Sequence, residues 1–195
     1  VDPQLPKLQE GRWPALDWNP IAAAVGARRR SLHHLAPPER TSDGPAWAET
    51  TRQAQADVLR TTIETLRKVK YRPTGGFCAF YLADPGPAGG FGVFDSDRRA
   101  KPALRALTDA CRPVIVVGEP LPTSVGVGKV YEIAIHVVSD LHESLRDGVV
   151  SATIHHADGT TDVHRWGGDV EADSVARIAL LSVPALQPGA LTVEL

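Results

Sequence analysis

The chain has 195 residues, 43% hydrophobic and 23% charged, with a formal net charge of -2. That balance is ordinary for a globular protein and gives no reason to expect nucleic acid or an anionic membrane surface as partner. No apolar run approaches the ~20 residues of a membrane-spanning helix, and the N-terminus lacks the basic-then-apolar order of a signal peptide. The length suits one large domain or two small ones, and two pieces are expected. With no methionine and an opening at Val1, the chain is read as beginning away from the natural start of translation, so a cytoplasmic location is only the default.

Residues 1–17 carry Pro3, Pro6 and Pro14 with Trp13, and with Trp18 they predict an irregular loop pinned by aromatic rings. Asn19-Pro20 predicts a short helix with Asn19 as N-cap and Gly26 as the capping residue at its end. Arg28-Arg29-Arg30 is read as complementing a helix terminus or simply solvated, in preference to a phosphate site. His33-His34 lacks a ligand at the helical i+4 position and is not assigned a metal. Pro37-Pro38 closes this section, and residues 41–45 then open the longest helix, running to about Lys70. Trp47, Ala54, Val58, Ile63, Leu66 and Val69 recur near a 3.6-residue period and predict its buried face.

Pro73 and Gly75-Gly76 lead into an apolar run over residues 77–82. A run without alternation predicts a strand buried on both faces, as in parallel sheets, with Cys78 packed inside it. Cys78 and Cys111 are read as two reduced residues without metal-ligand spacing. Asp84 stands at the carboxyl end of this strand, followed by a Pro/Gly-rich loop and a helix from Lys101-Pro102 to Ala110. Helix, strand, long loop and helix match the last part of a (β/α)8 barrel, whose sites lie at strand carboxyl ends.

After Pro113 the pattern is all β. Strands are expected at 114–117, 130–138, 149–156, 161–166, 174–183 and 190–195, with turn signals spaced as in an immunoglobulin-like β-sandwich. Asp158-Gly159 is read as a two-residue hairpin turn, which sets Ile154 opposite Val163 and His155 opposite Asp162. His155, His156 and His164 are read as surface histidines beside carboxylates, since adjacent strand residues point to opposite faces. The expected segments are 1–44 (loop and short helices), 45–113 (helix, strand, helix) and 114–195 (sandwich).

One family is similar to this chain through a collinear series of residues. The series is Arg52 to Ala56, Ile63 to Gly76 with its Pro73-Thr74-Gly75-Gly76, Asp84-Pro85, Val93-Phe94-Asp95, Lys101-Pro102-Ala103, Cys111 to Val114, and Val137 to Asp140. It resembles the C-terminal part of glycoside hydrolase family 2, in its β-mannosidase-like branch. The resemblance implies an α/β part followed by an all-β part: the C-terminal portion of a (β/α)8 TIM barrel plus an immunoglobulin-like β-sandwich. It also implies a retaining glycosidase with two carboxylates roughly 5 Å apart, acting as acid/base and nucleophile. Both belong to strands upstream of Val1. Glu10, Glu39, Glu49 and Glu64 lack a strand-end context, so no catalytic residue is assigned to the chain.

The resemblance does carry over one wall of a sugar pocket, Phe80, Tyr81 and Asp84, with no cofactor and no metal. Phe80 stands where the family shows a tryptophan, Ala83 where it shows an asparagine, and Gly86 and Phe91 where it shows further tryptophans. Aromatic rings stack on the C–H faces of sugars, and a carboxylate fixes hydroxyl orientation. Core packing is the plain alternative for Phe80 and Tyr81, and capping of its own loop the alternative for Asp84. The expected partners are a carbohydrate substrate and either the missing N-terminal segment of the same protein or a second copy. Two rival readings are a non-catalytic carbohydrate- or protein-binding module and an unrelated α+β domain.

Overall fold

A computed structural model describes residues 1, 5, 8, 11–86 and 89–195. The chain divides into two units, one of 1–65 with 76–111 and one of 66–75 with 112–195. None of its described helices is long and apolar enough to cross a membrane.

The first unit is helical. Helix α1 spans Trp18–Ala24, and its N-cap is Asp17, whose carboxylate accepts from the Asn19 N–H. The N-cap therefore falls two residues before the Asn19 expected from sequence, because Asp17 supplies the acceptor first. Gly26 fulfils its expected role: at a φ of 65° it donates to Ala23 O while Ala27 N–H donates to Ala22 O, a Schellman ending. Helix α2 spans Arg29–Leu35 with Arg28 as N-cap. The arginine triplet thus opens a helix instead of following the end of one, and it lies exposed to solvent.

Helix α3 spans Gly44–Lys68 and begins at Asp43, whose Oδ1 accepts from the Ala46 N–H at 2.8 Å. Trp47, Ala48, Ala56 and Ile63 are buried on it, whereas Val58 is exposed. The buried stripe thus runs through Ala48 and Ala56, and small residues that periodicity undervalued carry the contact. Trp18 and Trp47 meet edge to face at 4.9 Å, and Trp13 lies 5.6 Å from Trp18, at the centre of a cluster with Ile21, Leu32 and Ala36. Trp47 Nε1–H donates to Ala36 O at 2.7 Å, which satisfies its one buried donor. Helix α4 spans Pro102–Ala110, with proline at its start as expected.

The buried strand expected at residues 77–82 does not form. Residues 75–82 are exposed and carry no regular strand, and Cys78 is exposed with them. Backbone pairing is confined to residues 82–84, where Asp84 N–H donates to Phe94 O and Phe94 N–H donates to Leu82 O. A strand of a parallel sheet is held by neighbours distant in sequence, and the described residues offer none to residues 77–81.

In the second unit, β1 (Val114–Gly118), β2 (Val130–Ser139) and β5 (Val175–Pro184) form one antiparallel sheet in the order β1-β2-β5. The other sheet, in the order β4-β3-β6, contains β3 (Leu145–His155), β4 (Thr161–Val170) and β6 (Thr192–Glu194). Ile133, Ile135, Leu181 and Val183 of the first sheet share one core with Ala152 and Ile154 of the second. Two sheets facing each other over alternating apolar residues make a sandwich. Ile115, Val117 and Val138 form a smaller cluster on the opposite face of the first sheet.

The β3–β4 register differs from expectation by one residue: Ile154 faces Asp162 and His155 faces Thr161. Gly159 N–H donates to His156 O and His156 N–H donates to Thr160 O, with Gly159 at a φ of 85°. This is a type I turn continued by a left-handed glycine, so the loop holds three residues instead of two. His156 is buried by the change, with Nε2 at 2.9 Å from an Asp162 oxygen.

Candidate functional site

The polar centre of the first unit is built on Asp84. Its Oδ1 accepts from the Gly92 N–H at 2.8 Å, and its Oδ2 lies 2.5 Å from Lys101 Nζ, with both side chains 1% exposed. Lys101 Nζ also donates to Gly90 O at 3.1 Å and approaches Gln55 Oε1 at 3.5 Å. Gln55 Nε2 donates to Phe91 O and Gly92 O at 3.1 Å each. Position 92 must be glycine for this closure, since a Cβ there would lie 2.6 Å from Asp84 N and 2.7 Å from Asp84 Oδ1. One buried ion pair thereby fixes residues 84, 90–92 and 101 to α3.

Asp95 repeats the device. It is buried, its Oδ1 accepts from Asp97 N–H and Arg99 N–H, and Arg52 lies 3.7 Å from its Oδ2. The turn it organises carries Arg98 at a φ of 67°.

On the outside of this framework, Phe80 and Tyr81 stack with ring centroids 4.1 Å apart and 26° between planes. They are 74% and 41% exposed, and Leu82 is 74% exposed. Tyr81, Leu82, Ala83, Phe94 and Arg98 line an open groove of about 460 Å³.

The expected site residues therefore separate. Phe80 and Tyr81 present ring surface to solvent, and the core packing that was their plain alternative is absent. Asp84 is buried with both oxygens engaged, Oδ2 by Lys101 and Oδ1 by the Gly92 N–H of its own loop, which is the loop-capping alternative. Lys101 was legible only as a helix-initiating Lys-Pro, and its tie to Asp84 spans 17 residues with no local signal. Glu49 pairs with Arg52 at 3.6 Å, and Glu39 lies in a single 3-10 turn. Burial pushes the Glu64 carboxyl upward, with Arg60 opposing it. Glu10 lies outside the described residues. No group of three His, Cys, Asp or Glu capable of holding a metal occurs among the described residues.

No protein-family model matches the chain, and no curated protein sequence does. Solved structures do match in fold. A β-D-mannosidase from Dictyoglomus thermophilum superposes with a TM-score of 0.54 at 20% identity, over 73% of this chain and 16% of its own. An exo-chitosanase from Amycolatopsis orientalis gives a TM-score of 0.51 at 14% identity, over 83% of this chain and 18% of its own. An exo-β-D-glucosaminidase gives 0.53 at 15% identity over 84% and 18%. The chain spans less than one fifth of the length of each. The resemblance to the C-terminal portion of family 2 glycosidases holds at the level of the fold.

Proposed function

We propose that this chain is the C-terminal portion of a retaining glycosidase of the β-mannosidase-like kind, hydrolysing terminal β-mannosides in the complete protein. In this reading, residues 45–113 belong to the end of a (β/α)8 barrel and residues 114–195 form an immunoglobulin-like sandwich. The observation that carries it is the fold likeness to a β-D-mannosidase and an exo-β-D-glucosaminidase over 73% and 84% of the chain. The exposed Phe80–Tyr81 stack supports it, since such rings bind the C–H faces of sugars.

The chemistry follows from a retaining mechanism, in which a protonated carboxyl releases the aglycone and a carboxylate traps the sugar until water displaces it. Neither carboxylate is assigned to this chain. Its part is to shape the pocket: Phe80 and Tyr81 offer stacking surface, and the Asp84–Lys101 pair holds the backbone that carries them. The natural complement to the exposed run at 75–82 is the remaining barrel segment of the same protein. A non-catalytic carbohydrate- or protein-binding role is the second reading, favoured by Phe80, Gly86 and Phe91 standing where the family shows tryptophans.

The test is hydrolysis of an aryl β-mannoside by a protein containing this chain and its preceding segment, followed by NMR of the first-formed sugar. β-Mannose as initial product supports the proposal. Mannoside binding without turnover moves the assignment to the second reading, and neither binding nor turnover removes both.

A further inference from the structure

The groove beside the Phe80–Tyr81 stack has an unusual polar inventory. Its lining residues are Tyr81, Leu82, Ala83, Phe94 and Arg98, so its only charged group is a guanidinium. The acids near Arg98 in sequence are engaged elsewhere: Asp97 pairs with Arg99 at 2.9 Å, and Asp95 is occupied by its own turn and by Arg52. Asp84, beside Ala83, is closed by Lys101. Among the described residues no acid pairs with the Arg98 side chain.

The backbone supports the same point. Arg98 occupies the left-handed region, which a β-carbon disfavours and which glycine or asparagine fills more easily. The hydrogen bonds of buried Asp95 to Asp97 and Arg99 hold the turn on both sides of it. An arginine is thus held in a disfavoured conformation at the edge of an aromatic-walled groove. A guanidinium recognises planar carboxylates through two parallel N–H bonds.

We propose that this groove takes a sugar bearing a carboxylate, a uronate, with Tyr81 and its stacked neighbour Phe80 holding the ring and Arg98 reading the carboxylate. The inference rests on the carbohydrate reading of the aromatic pair and adds the substrate class.

The test is an NMR titration of this chain with β-1,4-linked mannuronate disaccharide and, separately, with neutral β-1,4-mannobiose. The expected result is perturbation of Tyr81, Leu82 and Arg98, with affinity for the mannuronate roughly fivefold the higher, as an exposed charge pair allows. Added salt should erode that preference. Arg98→Gln and Arg98→Gly should abolish it, bringing the two affinities together; the glycine variant suits the left-handed backbone and keeps the fold. Equal affinities, a preference that survives both variants, or perturbation confined to other residues would overturn the proposal. Mannobiose binding without discrimination overturns this proposal and leaves the carbohydrate reading standing, whereas binding of neither sugar overturns the groove as a site and leaves the glycosidase reading to the hydrolysis test.

Discussion

Ile135, Ile154, Leu181 and Val183 lie between the two sheets of the second unit at no more than 1% exposure, while Phe80 and Leu82 of the first unit stand 74% exposed. Both sets belong to apolar runs of strand-forming residues. Each strand of the second unit has its antiparallel partners in the same stretch of chain, so backbone groups are paired and side chains interdigitate across two faces. Residues 77–81 have no such backbone partners among the described residues, and only Leu82 at the end of the run accepts from Val93 and Phe94. Where the first unit is ordered around this run, the order comes from a buried ion pair and glycine contacts, which fix the loop without covering the aromatics.

The comparison predicts that the two units respond to opposite kinds of substitution. The largest effect is expected at Asp84→Ala, which strands Lys101 in the interior and should destabilise the first unit by about 3–5 kcal/mol. Replacing the pair together, Asp84→Leu with Lys101→Met, should lose less than the single change, as read by urea denaturation. A double variant no better than the single would show that the ion pair itself is indispensable. In the second unit the equivalent damage is apolar. Leu181→Ala should cost about 2–5 kcal/mol through the cavity between the sheets. Near-neutral behaviour there would break the contrast.

Much of this contrast was legible in the sequence. The helix start within residues 41–45, the Gly26 ending and the Pro102 start are local signals, and the structure realises them, the first through the Asp43 carboxylate. The strands of the second unit were likewise marked by alternation and turns. The failures share a cause, in that the deciding partner lay out of local view. An apolar run specifies burial only where neighbours exist. Asp-Gly is compatible with a two-residue turn and with the end of a three-residue one, and a single residue of difference shifts every cross-strand pair. The Asp84–Lys101 tie and the left-handed Arg98 have no signature of spacing at all.

The smallest predicted effect concerns acid. Asp173 Oδ1 and Oδ2 accept from the Tyr71 hydroxyl at 2.9 and 3.0 Å, and Lys70 Nζ lies 3.0 Å from Oδ1. The Lys70 hydrogen bond first, and the Tyr71 hydroxyl next, hold the Asp173 carboxyl below the usual aspartate range. A carboxyl more acidic in the folded state contributes stability above its unfolded value and loses it as pH falls through the folded value. Urea midpoints measured from pH 7 to about pH 2 should therefore drop below the ordinary aspartate range, and Tyr71→Phe should flatten that drop. An unchanged profile in the variant would show that the contact carries no linkage.

Under the proposed function, residues 75–82, irregular and exposed here, become a barrel strand only beside neighbouring strands. Hydrogen–deuterium exchange tests it directly, by comparing this chain alone with a longer protein that includes the preceding segment. Amides of 76–82 should exchange freely in the chain alone and become protected in the longer protein, with β2, β3 and β5 protected in both. Protection of 76–82 in the chain alone, or free exchange in both proteins, would contradict the account.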